Sequence, residues 1–88
     1  MARRSFVAGN WKLNKTPEEA KALAQDLRKR LEGYGNCDIA VCPTFLAIPA
    51  VAEVFKGTNL AVGGQNLFWE KSGAFTGEIS GPMLVAAL

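Results

Sequence analysis

The chain has 88 residues, 49% of them hydrophobic and 20% charged, a balance that indicates one small globular domain over residues 1–88 and excludes a disordered tract. Its formal net charge of +2 is spread over scattered basic residues, which gives no nucleic-acid footprint, and no apolar run approaches the roughly 20 residues of a membrane span. The sequence holds no histidine, so chemistry that needs an imidazole is closed to this polypeptide by itself.

Arg3-Arg4 is followed by too short an apolar run for a secretory leader. Phe6-Val7-Ala8 reads as a first strand, with Gly9 ending it and Asn10-Trp11-Lys12 opening a polar loop. Thr16-Pro17-Glu18-Glu19 then carries a helix start: Thr16 as N-cap, Pro17 at the first helical position, and Glu19 three residues after the cap. Ala20, Leu23, Ala24, Leu27 and Leu31 follow at helical spacing and form one apolar stripe. Gly33-Tyr34-Gly35 supplies a residue able to take positive φ at the end of that helix.

Asp38 to Cys42 reads as a second strand, apolar on both faces at its centre, as expected in a covered parallel sheet. Four residues separate Cys37 from Cys42, a spacing that matches neither a redox pair nor half of a zinc framework; a reduced, cytoplasmic setting is expected. Pro43-Thr44 breaks the strand, and Phe45 to Phe55 reads as a second helix closed by Gly57. Leu60 to Gly64 is a third strand, Gln65 to Gly81 a long loop, and Pro82 to Leu88 a last apolar helical run without a closing cap. Strands alternating with helical patterns predict right-handed βαβ units and a parallel sheet.

Two stretches carry chemistry. Asn10 and Lys12, two residues apart in an extended segment, would project to the same side at a strand's carboxyl end, where α/β folds bind ligands. An amide and an ammonium aimed together suit an anionic, oxygen-rich small molecule. The alternative is a solvated lysine beside a turn-forming asparagine. The loop Gly73-Ala74-Phe75-Thr76-Gly77-Glu78 puts an aromatic at its tip, which suggests either a partner surface or a loop folded back on its own body. Gln65 and Asn66 end the third strand near the same rim and suit backbone groups as well as a ligand. Gly63-Gly64-Gln65 does not fit a dinucleotide fingerprint, so nucleotide binding has no motif beneath it.

"FVAGNWKLN", "VCPTFLAI" and "GGQNLFWEKSGAFTGEISGPML", in this order and spacing, resemble the amino-terminal part of the triosephosphate isomerase family. The resemblance implies a partial (β/α)₈ TIM barrel: three parallel strands, two full helices and the start of a third. It implies interconversion of dihydroxyacetone phosphate and glyceraldehyde 3-phosphate through an enediolate, with no cofactor and no metal. In that family a glutamate base and a neutral histidine do the proton chemistry behind a closing loop, and none of these has a counterpart in this chain. By the same resemblance, Lys12 is the active-site lysine that stabilises negative charge, and Asn10 contacts the substrate's oxygens. Thr76 matches the threonine that enters the other subunit of a homodimer, with Phe75, Gly77 and Glu78 beside it. Gln65 and Asn66 match residues of the rim and interface. The resemblance further implies a phosphorylated triose as the ligand and an inactive chain when alone. The competing expectation is an autonomous small α/β module that binds or self-associates without catalysis.

Overall fold

The computed structural model describes residues 3–88. Three strands form one parallel sheet in the order β1 (Phe6–Asn10), β2 (Asp38–Cys42), β3 (Leu60–Val62). Helix α1 (Pro17–Arg30) crosses from β1 to β2, α2 (Ile48–Phe55) from β2 to β3, and α3 (Gly81–Ala87) follows the long loop. This is the partial barrel pattern expected from the sequence.

β1 runs further than the apolar residues suggested. Gly9 pairs with Val41 and Asn10 with Cys42, because the parallel ladder needs only backbone groups and Gly9 keeps both of its own. β3 is shorter than expected and stops at Val62; Gly63 N–H makes one more bond, to Val41 O at 2.9 Å, before the chain turns away.

The start of α1 is built as its sequence dictates. Glu19 N–H donates to Thr16 Oγ1 at 3.2 Å, and Thr16 N–H donates to Glu19 Oε1 at 2.9 Å, a reciprocal capping box. Gly33, with φ of 79°, turns the chain after the helix. The second helical stretch is not one helix. Phe45–Ala47 is a single 3₁₀ turn and the α-helix begins at Ile48. Pro49 is the cause: it has no N–H to give to Phe45 O, so the tighter bond from Ile48 N–H to that carbonyl takes its place. Ser80 caps α3, its hydroxyl accepting from Met83 N–H at 3.3 Å.

Both α1 and α2 pack on one face of the sheet. Ala20 and Ala24 of α1 meet Val51 and Phe55 of α2 over Val41 and Leu60, with Leu27, Leu31 and Ile39 at the margin. Burying Val51 and Ile48 stabilises the fold by about 1.5–3 kcal/mol each. Arg28 Nη1 also donates to Val54 O at 2.8 Å, which ties the last turn of α1 to the last turn of α2.

Side chains alternate along a strand, so the residues between these core positions face the other way. Ala8, Ala40 and Ala61 stand in one register across that second face, with Phe6 at its margin, 66% exposed. No element of the described residues covers it, and β1 and β3 are both edges. No helix among the described residues is long and apolar enough to cross a membrane.

Candidate functional site

All three strands are parallel, so their carboxyl ends lie at one rim of the sheet, and the segments after Asn10, Cys42 and Val62 gather there. Asn10 is the last residue of β1 and Lys12 is not extended: its φ is 55°, in the left-handed region that side chains avoid. The premise of two residues side by side in one extended segment therefore fails. What joins them is a turn, in which Lys12 N–H donates to Asn10 Oδ1 at 2.9 Å. The turn-forming asparagine and the site asparagine are the same residue. With Oδ1 engaged, the Nδ2 group of Asn10 makes no hydrogen bond among the described residues and is left as a donor pair.

A left-handed lysine costs on the order of 1–3 kcal/mol and persists only where its surroundings enforce it. Here they do. Asn14 Nδ2 donates across the loop to Trp11 O at 2.7 Å. Gln65 Nε2 donates to Lys12 O at 2.9 Å and to Cys42 O at 3.0 Å, using both hydrogens of one amino group. Cys42 O also accepts Trp11 N–H at 3.1 Å, so one carbonyl at the end of β2 fastens the segments after β1 and β3. Lys12 itself is exposed and makes no ion pair among the described residues. An unpaired ammonium on a rigid loop, beside free amide donors, can receive an anion without first breaking a contact of its own.

Gln65 thus sits at the rim, as its position suggested, but its amide is spent on backbone carbonyls of its own chain. Asn66 is exposed, and its backbone O lies close to Gly64. Gly64 is needed there: a Cβ would stand 2.9 Å from Leu84 Cδ2 and 3.1 Å from both Asn66 O and Phe45 Cε1.

The long loop has its own structure. Phe68 N–H bonds to Ile79 O at 2.8 Å, closing the loop's neck, and Phe68 pairs with Ser80 in a parallel bridge. Phe75 folds back onto Phe68, with ring centroids 4.6 Å apart, and over Gly73, where any Cβ would meet its ring at 2.8 Å. Of the two readings of this tip, the folded-back one describes Phe75, which is still 44% exposed. Thr76, Gly77 and Glu78 are exposed beyond it, and Gly77 takes a φ of 87°.

Three residues of this rim escaped sequence reasoning. Asn14 looked like any loop asparagine. Leu13 and Leu46 are 95% and 81% exposed and line one shallow apolar groove, although Leu46 lies in the run that reads as the second helix. Only the exposure of a large apolar residue reveals them, and sequence does not report exposure.

Comparison with known proteins bears on what this rim belongs to. A family model described as triosephosphate isomerase matches residues 5–87. Relatives named triosephosphate isomerase include one from Clostridium botulinum (strain Loch Maree / Type A3), 52% identical over 82 residues, which cover 93% of this chain and 33% of the relative. One from Moorella thermoacetica is 51% identical, covering 93% of this chain and 32% of the relative. One from Solibacter usitatus is 46% identical over 84 residues, covering 96% and 34%. The chain spans about a third of the length of these curated relatives. With the family model matched from one end of the sheet to α3, this chain belongs to the triosephosphate isomerase family.

Proposed function

We propose that these residues form the substrate-holding portion of a triosephosphate isomerase, which interconverts dihydroxyacetone phosphate and glyceraldehyde 3-phosphate through an enediolate in glycolysis and gluconeogenesis. The observation that carries this is the rigid, exposed and unpaired Lys12 at the carboxyl end of the sheet, one turn from the free donors of Asn10. The Lys12 ammonium holds the phosphate and stabilises the negative charge that builds on the substrate's oxygens; Asn10 Nδ2 donates to one of those oxygens. The interaction strengthens as the enediolate forms, which is what lowers the barrier rather than merely tightening binding. Proton transfer falls to other groups of the assembled enzyme, since this sequence has no histidine.

A cytoplasmic homodimer is part of the same proposal. The exposed Thr76, Gly77 and Glu78, the outer face of Phe75 and the apolar groove at Leu13 and Leu46 are surfaces that a second copy would cover, with Gln65 and Asn66 on the adjoining rim. The purified 88-residue chain is expected to leave glyceraldehyde 3-phosphate at its background rate of isomerisation. A full-length graft, in which residues 1–88 replace the matching third of the Clostridium botulinum relative, is expected to turn it over. Turnover by the chain alone, or none by a folded graft, would sink the proposal.

A further inference from the structure

Both peptide planes that flank Lys12 are held by side-chain amides. The plane before it has its carbonyl bonded by Asn14 Nδ2 at 2.7 Å and its N–H bonded to Asn10 Oδ1 at 2.9 Å. The plane after it has its carbonyl bonded by Gln65 Nε2 at 2.9 Å. Peptide units are rigid, and φ and ψ of a residue are only the rotations between its two neighbouring planes. Fixing both planes therefore fixes the residue, and with it the direction of the Cα–Cβ bond.

We propose that Asn14 and Gln65 are positioning residues for the Lys12 ammonium, holding Lys12 in the left-handed conformation without touching the substrate. This rests on the reading of Lys12 as the residue that grips the phosphate. The chemistry of the two amides suits the task. Each donates to a carbonyl, which a carboxylate cannot do, and neither adds charge beside the ammonium. Gln65 is the stronger anchor, because its second hydrogen is fixed to Cys42 O in the centre strand at 3.0 Å. Asn14 closes the loop locally, immediately before Lys15, which itself takes a φ of 77°. Without either amide, Lys12 escapes to negative φ, where an L-residue is relaxed, and its Cβ swings away.

The test reads the backbone of Lys12 directly, by NMR on the folded full-length graft. The wild type shows the strong intraresidue HN–Hα NOE of a left-handed residue. Gln65→Met and Asn14→Leu, which keep size and remove the donors, lose it while the amide resonances of α1 stay in place. A wild type without the signature, or two variants that retain it, overturns the proposal. In the graft, each variant lowers kcat/KM for glyceraldehyde 3-phosphate by ~10–100-fold. In a Lys12→Ala background the same substitutions change it by less than about twofold, because the residue they act through is gone. Equal losses in both backgrounds also overturn the proposal. Should Lys12→Ala alone leave turnover intact, the functional reading fails, and the NMR result still decides whether the amides hold Lys12.

Discussion

Asn10 Oδ1 accepts the N–H of Lys12 at 2.9 Å, so the two residues proposed to hold a substrate are one mechanical unit. The two ends of the Asn10 amide thereby have separate tasks: the oxygen shapes the turn and the nitrogen is left for a ligand. Asn10→Asp separates them, since the carboxylate still accepts from Lys12 but donates nothing. In the graft, kcat/KM is expected to fall by ~10²–10³-fold, the usual cost of losing one donor to a developing oxyanion. The melting temperature should stay near that of the parent. Full turnover by this variant would mean that Asn10 serves only the turn.

Gly64 sits one residue before the Gln65 anchor, where its hydrogen faces Leu84, Phe45 and a backbone oxygen at close range. Gly64→Ala should destabilise the graft by ~1–3 kcal/mol, as overpacking against backbone leaves little room to relax. Gly63→Ala is the control, since its Cβ would meet only Cys42 Sγ at 3.6 Å. Denaturant melts of the two variants check the difference; equal stability would contradict the packing described for Gly64.

Glu19 gives the fold a titratable cap. Its carboxyl is held below the ordinary glutamate value of about 4.5, first by the hydrogen bond from Thr16 N–H, then by the Thr16 hydroxyl bond and nearby Lys15. A lowered folded value means stabilisation that is complete above about pH 4.5 and lost as pH falls through the lowered value. Glu19→Gln keeps an acceptor for the cap without a proton to gain. The melting temperature of the variant should therefore fall less than that of the parent between neutral and strongly acidic pH. Parallel pH profiles would contradict this.

The Thr76 loop bears on assembly. Phe75→Ala removes the ring that packs on Phe68 and covers Gly73, which frees the tip that presents Thr76. Together with Thr76→Ala, it should shift the graft toward monomer in sedimentation velocity. An undisturbed dimer would separate this loop from the interface.

Much of the fold was legible because local signals agreed with it. The capping box at Thr16 and Glu19 expresses a short-range rule and appears as read. The both-faced apolarity of Asp38 to Cys42 marks the centre strand of the parallel sheet, but among the described residues helices cover only one of its faces. The errors have physical causes too. Gly9 ends an apolar pattern but not a hydrogen-bond ladder, and Pro49 forbids one α-helical bond four residues upstream of itself. The site was legible only in part. Asn10 and Lys12 stood out by residue type and place, whereas the left-handed turn of Lys12 depends on Gln65, 53 positions away. Periodicity and spacing do not reach that far; only the folded sheet brings the two together.

The central claim, that Lys12 is the electrostatic grip of an isomerase, is tested most directly by the steady-state rate of the graft against its Lys12→Ala variant. The account predicts a folded variant that loses most turnover, by ~10²-fold or more. Near-normal turnover by the Lys12→Ala variant would contradict it.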